Sequence, residues 1–278
     1  MSVTDMGNIR KAPIGVFDSG VGGLTVAREI MRNLPNEDIV YFGDTARVPY
    51  GSKSKDTIIR FSQQIIRFLR TQNVKAIVIA CNTASALALD EVEEELDIPI
   101  IGVLKPGAKV AAATTRNGKI GVIGTESTIN SQMYPKYIRE QNPEVAVYGK
   151  ACPLFVPLVE EGWLKDPVTE EVARRYLENL LKDGIDSLIL GCTHYPLLRS
   201  LIRGVVGETV NLVNPAYETA RELGELLREE GLEHPERNGQ KACHQFYVSD
   251  AAEKFRNFAN SILPCDIGET QKIHIEDY

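Results

Sequence analysis

Short apolar runs alternate with longer amphipathic stretches along this chain, and the alternation predicts its elements. In the first half, four runs rich in β-branched residues predict buried strands at residues 14–17, 39–42, 76–80 and 98–103. Apolar side chains recur at helical spacing in residues 57–72 and 84–96, which predicts two helices between the strands. Strands that are apolar throughout are covered by helices on both faces, so the pattern predicts βα units around a parallel sheet.

The second half repeats this design. Its predicted strands are residues 120–123, 145–148, 187–190 and 210–213, and residues 168–182 form a long amphipathic helix. After Pro215 the pattern predicts a helix, a polar loop, a strand and a second helix, at residues 217–230, 231–241, 246–249 and 251–263. This last part is too short for a third domain, and we expect it to pack back on one of the two halves.

The two halves also match each other in sequence. The segment IGVFDSG at residue 14 is answered by IGVIGTE at residue 120, and IVIACNT around Cys81 is answered by LILGCTH around Cys192. Five such matches occur in the same order, with offsets of only 106 to 111 residues, and they begin at positions 14 and 120, 38 and 144, 48 and 156, 81 and 192, and 106 and 215. Chance similarity between apolar strands does not produce a constant order, so the matches indicate an internal repeat.

We therefore predict an α/β protein with two pseudo-symmetric lobes, each a sandwich of helices around a parallel sheet. The active site is expected in the cleft between the lobes. The predicted first lobe contains residues 1–104 and 216–278, and the predicted second lobe contains residues 105–215. No linker separates them, so we expect the chain to cross between lobes near residues 104–107 and near Pro215.

Composition narrows the class of function. Lys and Arg total 31 against 38 Asp and Glu, and the net charge of −7 argues against a nucleic-acid or anionic-membrane partner. No apolar run approaches the roughly 18 residues that a membrane span needs, and residues 1–12 lack the apolar region of a signal peptide. The five cysteines include no CxxC pair, so we expect reduced thiols and a cytoplasmic protein.

Chemically active side chains follow the predicted strands, where an open α/β sheet places its ligand site. These residues are Asp18, Ser19, Pro49, Tyr50, Gly51, Cys81, Asn82 and Thr83 in the first half, and Thr125, Thr128, Cys192, Thr193 and His194 in the second. A Gly-rich turn at residues 20–23 lets backbone N–H groups approach an anion. The turn matches neither the dinucleotide nor the P-loop pattern, so it supports nucleotide binding only weakly.

Cys81 and Cys192 are the strongest candidates for catalytic residues, because they occupy the same position in the two repeats. A helix N-terminus after each strand would lower the thiol pKa from its ordinary value of about 8.5 and favour the thiolate. Approximate twofold symmetry would present the two thiols to opposite sides of a shared cleft. His194 is the candidate proton acceptor for Cys192, and Asp18 is the candidate for Cys81. The other cysteines lack such neighbours and are predicted to be packing or surface residues: Cys152, Cys243 and Cys265.

Opposed thiols suggest a definite reaction. One thiolate removes a proton from a carbon acid while the thiol on the other face returns one, which inverts the carbon centre. No metal, pyridoxal phosphate or nicotinamide is required if nearby dipoles stabilise the carbanionic transition state. Asp18 and Ser19 suit an ammonium group. Neutral donors of the right type to hold a carboxylate are Asn82, Thr83, Thr125, Thr128 and Thr193.

Five motifs resemble those of a known family. The segments DSGVGG, DTARVPYG, CNTAS, GVIGTESTI and GCTHYPLL are similar to those of the glutamate racemases, and the correspondence runs from about residue 14 to residue 263. The resemblance implies two α/β lobes with the site between them and proton transfer without a cofactor. It also implies the interconversion of L- and D-glutamate, a supply of D-glutamate for bacterial peptidoglycan, and a homodimer.

The resemblance also implies roles for single residues. Cys81 would act on the D-enantiomer and Cys192 on the L-enantiomer, assisted by Asp18 and His194. Glu160 stands where the family has an acidic residue near the second cysteine, although the residue pattern alone indicates a surface glutamate. The substrate pocket would be lined by Ser19, Pro49, Tyr50, Gly51, Asn82, Thr83, Thr125 and Thr193.

Three other interpretations are weighed against this one. Cys192 with His194 suits a nucleophilic hydrolase, but neighbouring residues at a strand end rarely point the right way, and Cys81 would have no role. Cys81, Cys192, His194 and Asp18 are suitable metal ligands, but they lack the compact spacing of a metal-binding motif. A two-lobed binding module is the third alternative, and both the paired thiols and the lack of a signal peptide count against it.

Overall fold

The structure is a computed structural model, and it describes residues 8–278. The start of the predicted first lobe and part of the region tested for a signal peptide fall on residues 1–7, outside the described residues. The strands of the described part are β1 (Ile14–Asp18), β2 (Ile39–Gly43), β3 (Ala76–Ile79), β4 (Ile100–Gly102), β5 (Lys119–Gly124), β6 (Ala146–Ala151), β7 (Ser187–Gly191), β8 (Asn211–Val213), β9 (His244–Val248) and β10 (Thr270–Lys272).

Two parallel sheets organise these strands. The first has the order β10-β9-β2-β1-β3-β4 and the second has the order β6-β5-β7-β8. The run β2-β1-β3-β4 therefore has the same topology as β6-β5-β7-β8, which confirms the predicted repeat and the two-lobed α/β fold. The first lobe contains the first sheet, and the second lobe contains the second sheet. The C-terminal segment packs back as predicted, because β9 pairs with β2 and extends the first sheet.

Strand pairing gives the repeat a more accurate offset. In the first sheet Ile14 pairs with Ile39, and in the second Ile120 pairs with Val147, which is 108 positions after Ile39. The offset of 106 expected for the second strand is therefore wrong by two residues. Because side chains alternate along a strand with a period of two, this slip leaves the buried face unchanged, and apolar sequence matching is insensitive to it.

Helices connect the successive strands along the chain. They are α1 (Leu24–Asn33), α2 (Lys55–Thr71), α3 (Asn82–Leu87), α4 (Leu89–Glu93), α5 (Leu104–Thr114), α6 (Glu126–Asn130), α7 (Met133–Gln141), α8 (Phe155–Glu160), α9 (Pro167–Lys182), α10 (Arg199–Val206), α11 (Pro215–Glu229) and α12 (Ala252–Ile262). The single helix predicted at residues 84–96 is two helices. Ala88 interrupts it with φ −121°, outside the helical range, although Ala84, Leu89 and Val92 are all buried.

One apolar cluster joins the two lobes. Alternate residues of β1 and β5, among them Val16 and Val122, face this cluster from the two sheets. Helices of both halves fill it, with Ile30 of α1, Ala108 of α5 and Leu223 of α11 buried there. The outer face of each sheet packs on a separate cluster. The lobes therefore share a core, while the strand ends above that core face a common cavity. In residues 8–278, no helix combines the length and apolar character needed to cross a membrane.

Candidate active site

A cavity of about 400 Å³ lies between the carboxyl ends of the two sheets. Most of the predicted site residues line it: Ser19, Pro49, Tyr50, Gly51, Cys81, Asn82, Thr83, Thr125, Glu160, Cys192, Thr193 and His194. The volume lies in the lower part of the range for small-molecule sites, which suits a ligand the size of an amino acid. Asp18 and Thr128 are fully covered and lie behind this lining.

The two paired cysteines reach the cavity from equivalent strands. Cys81 follows β3 and Cys192 follows β7, the two strands that occupy the same place in their sheets. Both cysteines belong to the lining of the same cavity, and both are almost completely buried. The structure thus brings together the two thiols that the sequence repeat paired.

Cys81 caps the short helix α3. The backbone N–H of Ala84 donates to Cys81 Sγ at 3.5 Å, which is the expected helix N-terminal contact. Burial, together with the nearby Asp18 carboxylate, nevertheless raises the pKa of Cys81 to about 12. The lowered pKa predicted from the helix N-terminus is therefore wrong for Cys81, because loss of solvent outweighs one backbone hydrogen bond.

Asp18 is the buried carboxylate at the end of β1. It accepts hydrogen bonds from the backbone N–H of Gly20 at 3.0 Å and from Thr193 Oγ1 at 3.5 Å. Burial raises the pKa of Asp18, although the positive charge of His194 and backbone N–H groups act in the opposite direction. Through Thr193, a carboxylate of the first lobe is linked to the segment that carries the second cysteine.

Cys192 is the first member of a chain of three polar side chains. Its Sγ lies 3.8 Å from His194 Nδ1, and His194 Nε2 lies 3.1 Å from Glu160 Oε1. Burial lowers the pKa of His194, but hydrogen bonds with Cys192 and Glu160 outweigh burial and raise that pKa to about 10. The same contact with His194 lowers the pKa of Glu160. The imidazole is therefore held in its charged form between a sulfur and a carboxylate.

The glycine turn after β1 packs against this chain. A Cβ atom added to Gly22 would lie 2.3 Å from Thr193 Oγ1 and 2.5 Å from His194 Nδ1, so no side chain fits there. Thr25 Oγ1, one turn further on, donates to the backbone oxygen of Thr193 at 2.9 Å. The predicted glycine turn thus has a close-packing role between the lobes.

Asp44 fixes the loop that carries Pro49, Tyr50 and Gly51. Its buried carboxylate accepts hydrogen bonds from the Tyr50 hydroxyl, from Arg47 Nε at 2.7 Å and from Ser249 Oγ at 2.8 Å. Sequence reasoning noted Asp44 as the residue after the second predicted strand but assigned it no role, because its partner Ser249 is distant in the chain. Asp44 lies one position beyond Gly43, the residue of β2 that pairs with Asp18, and this place at the strand end was the available signal.

Three threonines meet at the edge of the cavity. Thr83 Oγ1 of the first lobe lies 2.9 Å from Thr125 Oγ1 of the second, and Thr125 Oγ1 lies 3.0 Å from Thr128 Oγ1. Thr128 itself is buried behind the other two, so its hydroxyl orients them. Its predicted contact with a ligand stays a prediction.

Comparison with known proteins identifies the family of this chain. A family model described as Asp/Glu/Hydantoin racemase matches residues 14–223, about three quarters of the chain. The chain belongs to this racemase family. A glutamate racemase from Geobacter metallireducens is 51% identical over 263 residues, which are 95% of this chain and 97% of that protein.

Solved structures of the family have the same fold. A glutamate racemase isoform from Bacillus anthracis is 41% identical with a TM-score of 0.91, over 95% of this chain and 98% of that chain. A glutamate racemase from Francisella tularensis in complex with D-glutamate is 41% identical with a TM-score of 0.89, over 97% of this chain and 100% of that chain. The fold of the present racemase family member therefore agrees with these structures over nearly its whole length.

The lining also contains residues that sequence reasoning did not assign to the site. They are Val48, Ser52, Glu126, Pro153, Val156 and Pro157. Val48-Pro49 and Val156-Pro157 are one of the five matched pairs of the repeat, so the repeat contained the signal for both rims of the cavity. The lining contains no Lys or Arg within the described residues, and its hydroxyl and amide donors are neutral.

Two of the alternative interpretations can be compared with this geometry. In residues 8–278, no group of three or more His, Cys, Asp or Glu side chains converges as a metal site. The objection that Cys192 and His194 would not point toward each other is wrong, since their side chains are in contact at 3.8 Å. A nucleophilic hydrolase would still leave the buried Cys81 and its carboxylate neighbour without a role.

Proposed function

We propose that this member of the racemase family interconverts L- and D-glutamate without a cofactor. One observation carries the proposal: two cysteines from equivalent strand ends line a single cavity. The high identity to glutamate racemases supports glutamate as the substrate, and the Francisella tularensis structure with D-glutamate supports it further.

The proposed reaction transfers one proton on each face of the α-carbon. For L-glutamate, the thiolate of Cys192 takes the α-proton, and the electron pair of the C–H bond stays on carbon as a carbanion. The thiol of Cys81 then delivers its proton to the opposite face and becomes the thiolate. For D-glutamate the two cysteines exchange roles, so no oxidant, reductant or added group is required.

Each thiol has its own proton partner. We assign the buried carboxylate of Asp18 to Cys81, because it lies near enough to raise the pKa of that thiol. We assign His194 to Cys192, with Glu160 holding the imidazole from its other nitrogen. A bound amino acid would bring its ammonium group beside these buried groups, and that positive charge favours the thiolate and the Asp18 carboxylate.

Neutral groups are proposed to hold the two substrate carboxylates. Ser19, Asn82, Thr83, Thr125 and Thr193 supply hydroxyl and amide donors around the cavity. In a site shielded from water, such fixed dipoles stabilise the negative charge that develops on the substrate in the transition state. Pro49, Tyr50 and Gly51 would limit the size of the side chain that fits.

The division into lobes is also proposed: residues 1–104 with 216–278 form the first lobe, residues 105–215 form the second, and the substrate lies between them. The strands of the first sheet all fall in the first group and those of the second sheet in the second group, which supports this division.

We also propose a cytoplasmic homodimer that supplies D-glutamate for peptidoglycan. Light scattering of the purified protein would test the dimer.

The activity is tested by incubating the protein with L-glutamate in ²H₂O. We expect the optical rotation to decay toward zero while deuterium enters the α-position, because the returning thiol proton exchanges with solvent. Folded protein that produces neither change would contradict the proposed function. Deuterium incorporation with full retention of configuration would contradict the two-thiol reaction alone.

A further inference from the structure

Tyr134 of α7 connects the segments that carry the two cysteines. Its hydroxyl donates to Asn82 Oδ1 at 2.7 Å, across the boundary between the lobes. Its ring lies against the end of β7, where a Cβ atom added to Gly191 would be 3.1 Å from Tyr134 Cε2. Asn82 follows Cys81 and Gly191 precedes Cys192, so one side chain contacts both segments from behind the cavity.

Asn82 lines the cavity, whereas Tyr134 does not. The hydrogen bond from Tyr134 occupies the amide oxygen of Asn82 and leaves its NH₂ group as the part free to bind an external acceptor. Without that hydrogen bond the amide could rotate by half a turn and present its oxygen instead. An oxygen repels a carboxylate, so the orientation of this amide decides whether Asn82 attracts or repels an anionic substrate.

We propose that Tyr134 is a positioning residue that holds the Asn82 amide with its NH₂ group toward a substrate carboxylate. The inference rests on the proposed function, since it takes the ligand to be an amino acid with negatively charged carboxylates. Tyr134 acts through Asn82 and touches no reacting atom.

The surroundings of Tyr134 support this role. The ring lies in the apolar cluster that joins the lobes, together with Ile138 of the same helix. Burial raises the pKa of the Tyr134 hydroxyl, so the hydroxyl stays protonated and can donate at any working pH. A phenylalanine would fill the same apolar space, and what tyrosine adds is the one hydrogen bond to Asn82.

The same helix supplies a matched control. Tyr137, one turn further along α7, is also buried in this cluster, and its hydroxyl has no hydrogen-bond partner within residues 8–278. Removing the hydroxyl from Tyr137 therefore makes the same chemical change in the same helix without affecting Asn82.

The experiment compares racemisation of L- and D-glutamate by the full-length wild type, Tyr134→Phe and Tyr137→Phe. For Tyr134→Phe we expect KM to rise about three- to tenfold in both directions, the size of one lost hydrogen bond, with kcat changed by less than about twofold. We expect no change in either constant for Tyr137→Phe. An unchanged KM in Tyr134→Phe, or equal changes in both variants, would overturn the proposal, and melting curves verify that each variant is folded.

A double-mutant cycle separates positioning from general packing. In the Asn82→Ala background, adding Tyr134→Phe should leave KM unchanged, because the amide on which Tyr134 acts is gone. A further rise by the same factor would show that Tyr134 acts independently of Asn82 and would overturn the inference. A wild type that does not racemise glutamate would overturn the proposed function as well, so the two failures are distinguishable.

Discussion

The segments that end in Cys81 and Cys192 occupy the same position in sheets of the same topology, but their surroundings differ. Cys81 caps a helix, and its sulfur lies near the buried carboxylate of Asp18. Cys192 caps no helix within the described part of the chain, and its sulfur contacts the imidazole of His194. The strand order around the two cysteines is the same, whereas the groups that exchange protons with the thiols are not.

This difference shows which properties a repeat preserves. Apolar strands keep their order because each must bury both faces. The cysteines follow strands that hold the same place in the two sheets. The neighbours of the cysteines differ because the residue types around them do not repeat: Asp18 at the end of β1 corresponds to Gly124 at the end of β5, and His194 corresponds to Thr83. The two halves can therefore have one architecture and two kinds of proton partner.

The largest expected effect comes from removing either sulfur. Cys81→Ser and Cys192→Ser should each reduce racemisation about 10³-fold or more, because a hydroxyl is far less acidic than a thiol and both faces need a proton carrier. Optical rotation measures the loss, and Cys243→Ser, at an exposed cysteine, is the matched control and should remain active. Full activity in either cavity variant would show that the two segments are not functionally equivalent.

A second prediction separates the two proton partners. His194→Asn and Asp18→Asn should each lower kcat/KM by about 10²-fold, and by the same factor in both directions because the equilibrium constant of a racemisation is one. The α-deuterium isotope effect should rise more with L-glutamate in His194→Asn and more with D-glutamate in Asp18→Asn. Equal isotope effects in both directions for both variants would contradict the assignment of one partner to each thiol.

The smallest expected effect concerns Glu160. Since Glu160 helps to raise the pKa of His194 to about 10, Glu160→Gln should lower that pKa and reduce turnover about three- to tenfold. The pKa of His194 is raised on folding, so its stabilising contribution is complete below pH about 6.5 and is lost as the pH rises through about 10.

The melting temperature of the wild type should therefore fall across this interval, and in Glu160→Gln the fall should be complete at a lower pH. Scanning calorimetry at a series of pH values measures the difference. Glu171→Gln, at an exposed ion pair with Arg175, is the control and should follow the wild type. Superimposable wild-type and Glu160→Gln profiles would mean that Glu160 does not hold the imidazole in its charged form.

Sequence reasoning predicted the two sheets and most residues of the cavity lining, because both depend on local patterns. Apolar runs locate the strands, and the residues that follow them lie at the cavity once the strands are parallel. The pKa of Cys81 was predicted in the wrong direction, because burial depends on the whole fold and a helix N-terminus is visible locally. Tyr134 was not found and Asp44 was given no role, since their partners Asn82 and Ser249 are distant in sequence.

Gly22 limits which substitutions the contact between the two lobes tolerates. Its Cα faces the Thr193 hydroxyl and the His194 imidazole of the other lobe with no room for a methyl group. An alanine there would have to displace the imidazole from the sulfur of Cys192 or separate the lobes at that point. Steric bulk in one lobe would then change proton transfer in the other without removing or adding a single polar atom.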